Sequence, residues 1–263
     1  MSNEDEKLRL GGMALPNGVL VHGPTSWACA IRTDDGKIEV AAQRKTLLAS
    51  KVNRPFLRGP ARLAEALAVL PQVKRALPRA KLPMQSPRVL ASMVTAAVAV
   101  RGVRESRSLR PAAKELVSGL LSLAPALLAL RGTELAAYHG AEHISIGRYE
   151  HGEGATKEHE RCGGHLVGPL VATTAVGNVL ANLASPRFRP HARAAAQLGA
   201  VAASTEIFGW MTRHPRNLVS QALSKPGHEL QHRLSTAEPT HEQLEVAEAA
   251  LAACLELEHG ADH

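Results

Sequence analysis

Residues 18–42 read GVLVHGPTSWACAIRTDDGKIEVAA. Three short apolar runs, at 18–22, 27–32 and 37–42, lie in this stretch, and Thr33-Asp34-Asp35-Gly36 between the last two is a hairpin signal. Residues 11–43 therefore read as β structure, and a small antiparallel sheet opens the chain. After Arg44 the strand signals stop. The chain becomes rich in Ala and Leu, punctuated by Pro55, Pro60, Pro71, Pro78, Pro83, Pro87, Pro111 and Pro125, which is the pattern of helices broken by proline. Helices are expected at 62–70, 89–100, 112–130, 133–149, 166–183, 192–212 and 217–223. A last helix starts after Thr240, which has a glutamine three positions on as in a capping box, and carries the apolar stripe Leu244, Ala247, Leu251, Cys254 and Leu255. The predicted fold is α+β: a small N-terminal antiparallel β-sheet, residues 1–45, packed on a predominantly helical bundle, residues 46–263, in one integrated domain.

At 263 residues the chain can bury a substantial core. Its three cysteines, Cys29, Cys162 and Cys254, are odd in number and far apart, which argues against a disulfide framework and for a reducing compartment. Cys254 falls on a core stripe; Cys162 is free to act as a ligand. The opening MSNEDEKLRL has no apolar core segment, so it is not a secretory signal and a cytoplasmic N-terminus is expected. The net charge of +7 is uneven, with basic residues crowding 44–110 and acidic ones at 134–160 and after 238. Such a basic segment is either a solvated face or a contact for anionic lipid. Nucleic acid is an unlikely partner, because seven aromatic residues in the whole chain provide few stacking platforms.

Three stretches, 116–130, 166–186 and 194–212, carry almost no charge. The second approaches the roughly 20 residues of a spanning helix, although Asn178 and Asn182 dilute it and Glu206 interrupts the third. Membrane association is favoured over a purely cytoplasmic location. Simple consecutive threading is not, because Arg187, Arg189 and Arg193 would lie opposite an acidic cytoplasmic loop.

The chemistry lies in residues 138–143, YHGAEH. On a helix, His139, Glu142 and His143 share one face. Two neutral imidazoles can hold a Zn²⁺-type ion while a neighbouring carboxylate acts on a bound water, the order found in inverted zinc-hydrolase motifs. Further ligands follow in His159-Glu160-Arg161-Cys162-Gly163-Gly164-His165, whose glycines allow the chain to bend. The plain alternative is a surface helix whose polar residues are solvated, but the second His/Cys cluster so close downstream weighs against it. His151 is expected to be solvated, and His214, His228, His232, His241, His259 and His263 have no ligand spacing. Covalent haem is disfavoured, because Cys162-Gly163-Gly164-His165 lacks half of an attachment motif.

Four stretches resemble the YqhQ-like family, a bacterial group of unknown function described as predicted metal-dependent enzymes, usually with several membrane helices. They are Gly11-Gly12 through Gly18-Val19 with His22-Gly23-Pro24; Pro55-Phe56-Leu57-Arg58-Gly59; the central YHGAEH with Tyr149-Glu150 and His159-x-Arg161-Cys162-Gly163; and a C-terminal set with Pro226-Gly227, Leu230-Gln231, Leu234-Ser235-Thr236, Glu238-Pro239 and 242–247. Met13, Asn17, His22 and Ala237 depart from the family pattern. His165 does not match it and ranks below Cys162 and His159. The resemblance implies a metal centre on the central residues and names no substrate.

The expected site is therefore His139, His143, Cys162 and His159 around a divalent metal, Zn in character, with Glu142 as base and Tyr138, Tyr149, Glu150 and Arg161 orienting the ligands. The first functional expectation is a metal-dependent hydrolase of unidentified small-molecule or peptide substrate. The alternatives are a non-enzymatic membrane-associated protein with a structural metal and a basic lipid- or RNA-binding adaptor, the last distinguished by steep salt dependence.

Overall fold

The computed structural model describes residues 7–46, 49–130, 133–152 and 154–260. The expectations for the acidic first six residues and for His263 fall outside that range. The sheet is an antiparallel meander, β1 (Gly11–Leu15), β2 (Gly18–His22), β3 (Ser26–Arg32) and β4 (Ile38–Arg44), in the order β1-β2-β3-β4. β1 is the strand that the apolar runs did not single out. Thr33 closes the predicted hairpin by accepting from Gly36 N at 2.9 Å, and Gly36 takes φ +82°, where glycine is unstrained.

Alternation along the strands sorts the two faces, since successive side chains point to opposite sides. Val19, Val21, Ala28 and Ala30 join one core with Tyr138, Ala141, Val246, Ala250 and Cys254; Leu20, Trp27, Cys29 and Ile31 join a second with Val69, Val73 and Leu77. The sheet thus lies between α1 (Arg58–Ala76) on one side and the pair α4 (Glu134–His151) and α8 (His241–His259) on the other. Burial on both faces explains why the strands read as apolar runs rather than as apolar-polar alternation. Small residues at 28 and 30 let α8 sit close.

The remaining helices are α2 (Pro87–Glu105), α3 (Pro111–Leu130), α5 (Val167–Asn182), α6 (Arg189–Arg213) and α7 (Leu218–Leu230). Each matches an expected helix; α3 runs through Pro125 as expected, and α1 and α7 continue beyond their expected ends through Pro71 and Pro226. For α1 the reason is tertiary: Val69 and Val73 on either side of Pro71 are both buried under the sheet, and this burial outweighs the lost backbone hydrogen bond. α2 packs on α3 and α5 on α6 as two hairpins. Two segments, Ala113–Leu130 and Gly163–Asn182, are long and apolar enough to cross a membrane, and only 6% and 22% of them is buried. The third apolar stretch, within α6, does not qualify.

The stretch 55–59 takes its meaning from α6. Phe56 adopts φ +64°, a strained value for a residue with a side chain. Its N–H and the Arg58 guanidinium both bond Glu206, and a side chain at Gly59 would collide with Thr205. Glu206 interrupts an apolar stretch because it anchors this corner.

Helix α8 begins as expected: Thr240 Oγ1 accepts from Gln243 N, and Gln243 Oε1 accepts from Thr240 N at 2.9 Å. Its buried face is rotated from the predicted stripe and runs Gln243, Val246, Ala247, Ala250, Cys254, Glu258. The last of these sets the rotation. Buried Glu258 accepts from Thr25 N (2.9 Å), Ser26 N (2.7 Å), Ser26 Oγ (2.6 Å) and Thr25 Oγ1 (2.9 Å), clamping the β2–β3 turn. Glu258→Ala leaves those donors unpaired, with an expected loss of about 3 kcal/mol in denaturant unfolding.

Beside the same turn, on the face toward α1, His22 Nδ1 lies 3.3 Å from Lys45 Nζ, which also bonds Glu65 at 2.5 Å. Burial, and secondarily the Lys45 charge, lower the His22 pKa to about 4. The unfolded chain takes up this proton near pH 6.5 and the folded one does not until about 4, so stability falls as pH drops through that window. His22→Gln should flatten the decline seen in melts between pH 7 and 4, by on the order of 3 kcal/mol at the acid end.

Candidate metal centre

Helix α4 is buried along most of its length. Leu135, Tyr138, Ala141 and Ile146 face the sheet core, Glu142 meets β1 beside them, and His139 and His143 on the adjoining side turn toward residues 157–165 and the π-helical turn Gln231–Ser235. Close approach is secured by Gly140, where a Cβ would lie 2.1 Å from the Ala237 carbonyl, and by Gly12 on β1, where a Cβ would lie 2.4 Å from Glu142. Ala237 N also donates to the Ala136 carbonyl at 2.9 Å, so the segment after the π-turn is sewn to α4.

Each imidazole is fixed through one nitrogen. His139 Nδ1 meets the Ser235 carbonyl at 2.8 Å and His143 Nδ1 meets the Lys157 carbonyl at 2.6 Å. A carbonyl only accepts, so each Nδ1 carries the proton and each Nε2 presents a lone pair. Hydrogen bonds of this kind orient metal-ligating histidines. The two rings are 4.4 Å apart, and Cys162 Sγ lies 3.6 Å from His139 Nε2. Donor atoms of His139, His143 and Cys162 all fall within 4.8 Å of one another. Two tetrahedral ligands at about 2.1 Å (nitrogen) and 2.3 Å (sulfur) from one ion stand about 3.6 Å apart. The cluster could hold a metal ion.

Burial sets the charge state of these groups. It holds the His139 pKa below the usual histidine value and pushes that of His143 down to about 3, so both rings are neutral donors at pH 7. Burial likewise raises Glu142 to about 8 and the Cys162 thiol to about 12. Glu142 Oε2 lies 3.9 Å from His139 Nε2. Gly164 N–H points at Cys162 Sγ from 3.3 Å, a donor suited to a thiolate.

His159 stands beside the cluster without converging on it. Its ring is 5.6 Å from that of His143, Nε2 faces Glu150 Oε2 at 3.2 Å, and Nδ1 accepts from Arg161 N at 3.3 Å. Glu150 also bonds Arg161, so it ties the segment to the end of α4. Hydrogen bonds from His159 and Arg161 hold this carboxyl below the usual range despite the opposing effect of burial. Tyr149 accepts from Leu8 N at 3.1 Å, and Tyr138 is core. His151 is exposed, as expected. The departures from the family pattern have local roles: Asn17 bonds the Arg32 and Arg79 carbonyls and Lys81 N, His22 meets Lys45, and Met13 lines the cavity at the cluster.

Gln231 was missed as a site residue. It is fully buried; its Oε1 accepts from His159 N at 2.9 Å and its amide donates to His165 Nε2 at 3.0 Å, while His165 Nδ1 meets the Ser224 carbonyl. The segment bearing Cys162 is therefore clamped from the π-turn, whose other end supplies the Ser235 carbonyl to His139. One π-turn thus serves both halves of the cluster, and π-turns recur at functional sites. No local pattern announces a glutamine that acts 66 residues from its partner. Gln231→Ala should cost about 2 kcal/mol in a thermal or denaturant melt and expose residues 157–165 to protease.

A model of the family described as "Protein of unknown function (DUF1385)" matches residues 133–257. That stretch runs from the N-cap of α4 into the last turns of α8 and contains every member of the cluster, so over it the chain is similar to a domain family of unknown function. The sheet and α1–α3 lie outside the match. No curated protein and no solved structure matches the chain.

Proposed function

We propose that the protein is a membrane-associated, metal-dependent hydrolase whose centre is His139, His143 and Cys162. The observation that carries this reading is the paired anchoring of the two Nδ1–H groups, which aims both free Nε2 lone pairs at one region that also holds the half-buried thiol of Cys162. Held by three protein donors, a metal ion would keep a position open to water. A Zn²⁺-type ion there would lower the pKa of a bound water to about 7 and polarise a substrate oxygen. The chain supplies the rest. Glu142, beside His139 and shut in by Gly12, would be the base toward that water and would hand the proton on to the leaving group, a role it takes once a bound cation favours its ionised form over the neutral one that burial prefers. His159 and Arg161, held by Glu150, line the approach.

The membrane part of the proposal rests on the uncovered apolar surface of the two hairpins, where Val94, Val98, Leu120, Leu128, Val179 and Leu183 are all exposed. Soluble monomers rarely leave such patches open. Between the hairpins the polar groups are mutually paired: Asn178 bonds Glu115 at 2.6 Å and Gln197 bonds Asn178 at 3.1 Å, joining α3, α5 and α6 as interhelical bonds do in lipid. The protein should remain in the membrane pellet after an alkaline carbonate wash.

A second reading, a structural metal clamp, is favoured by one feature. Cys162 joins two segments that an ion would tie together, and binding free energy then appears as folding stability. Metal analysis with a panel of chromogenic esters, amides and phosphoesters separates the two. The enzyme reading predicts about one equivalent of metal, lost in His143→Ala and kept in Glu142→Gln, with hydrolysis in Glu142→Gln reduced at least about 100-fold. Metal lost together with Glu142 would make it a ligand. Full metal, no turnover by the native protein, and a melting temperature that falls on chelation would select the clamp.

A further inference from the structure

We infer that the substrate is an amphiphile, with its reacting polar group at the metal centre and an alkyl chain lying along the end of α3. This rests on the metal centre proposed above and adds the substrate class. The cluster stands between two cavities, and His143, His159 and Arg161 line both. The larger, about 800 Å³, is walled in part by the polar groups Glu150, His151, Glu158 and His228. The smaller, about 450 Å³, contains His139, Glu142 and Cys162, with His22 also on its wall, and its apolar lining includes Met13, Ala126, Ala129, Leu130, Leu135 and Ile146.

The origin of that apolar wall decides the occupant. Ala126, Ala129 and Leu130 lie in the last turns of α3, a helix that exposes Leu116, Leu120 and Leu128. The cavity thus reaches, at exposed Ala126, the surface of the less covered of the two span-length apolar segments, 6% buried over 18 residues. Small side chains at 126 and 129 leave a slot where larger ones would close it. A wholly polar substrate would leave this wall wetted, and a purely hydrocarbon one would have no use for the charged chamber beyond His143. A molecule with a head group and one chain satisfies both, and its chain can enter from a bilayer around α3 without crossing water.

The test uses the full chain in detergent or nanodiscs, loaded with Co²⁺, whose visible absorption reports ligands bound at the metal. The probes are acetohydroxamate and dodecanohydroxamate, which share one metal-binding group and differ in chain. The wild type should bind the long probe at least about tenfold tighter than the short one, given the gain from each buried methylene. Ala129→Trp, which fills the slot, should bring the ratio of the two affinities near one. Ala126→Trp, at an exposed position that tolerates bulk, should do the same if Ala129→Trp disturbs folding. Leu198→Trp, on exposed α6, should keep the wild-type ratio and so account for partition into detergent. Equal affinities in the wild type, or a chain-length advantage that survives both α3 variants, would overturn the inference and leave the metal centre standing. Absence of any cobalt spectrum, or of any response to acetohydroxamate, would remove the metal centre and the inference with it.

Discussion

Everything in the site depends on how closely helix α4 can be packed on two sides at once. Its apolar face needs the sheet, and its polar face needs backbone carbonyls to satisfy buried imidazoles, since a buried unpaired polar group costs as much as several good contacts return. Glycines make both approaches possible: Gly12 brings β1 against Glu142, and Gly140 brings the 235–237 backbone against the helix. With the backbone this near, the Ser235 and Lys157 carbonyls fix His139 and His143 in one tautomer. The same constraint buries Glu142 to 6% exposure. A donor set held this rigidly is already shaped for its ligand, and little ordering remains to be done on binding.

The two regions of the chain solve different burial problems. Around the sheet, apolar residues are covered on both faces by α1, α4 and α8, and even the acidic end of α8 is used, through Glu258, to close a turn. In the hairpins α2–α3 and α5–α6 many large apolar side chains are exposed, while the polar residues Glu115, Asn178 and Gln197 bond one another across the helices. That pattern suits a helix surface whose solvent is lipid. The cluster lies where the two environments meet, under the C-terminal end of α3 and against the 157–165 segment, which places polar chemistry at the border of an apolar layer.

Much of this was legible in the residues. The hairpin at Thr33 to Gly36, the cap at Thr240 and the bunching of His139, Glu142, His143 and Cys162 are encoded locally, by turn chemistry, capping geometry and helical spacing. What escaped was set by distant partners. Pro71 sits inside α1 because burial of Val69 and Val73 outweighs a local breaker. The α8 stripe was misplaced because Glu258 and the small residues of the sheet, not the leucines, choose its inner face. Gln231 clamps the cysteine segment through hydrogen bonds that no spacing rule reports. His159 shares a short stretch with Cys162, yet its ring nitrogens are engaged by Glu150 and Arg161 N rather than turned to the cluster.

The central claim is that His139, His143 and Cys162 form one metal centre, and X-ray absorption at the zinc edge of the purified, zinc-loaded protein tests it most directly. The account predicts a first coordination sphere of two imidazole nitrogens at about 2.0–2.1 Å, one sulfur at about 2.3 Å and one light-atom ligand from solvent, with the sulfur scattering gone in Cys162→Ser. A sphere of oxygen and nitrogen alone in the wild type, or one unchanged by Cys162→Ser and His143→Ala, would contradict it.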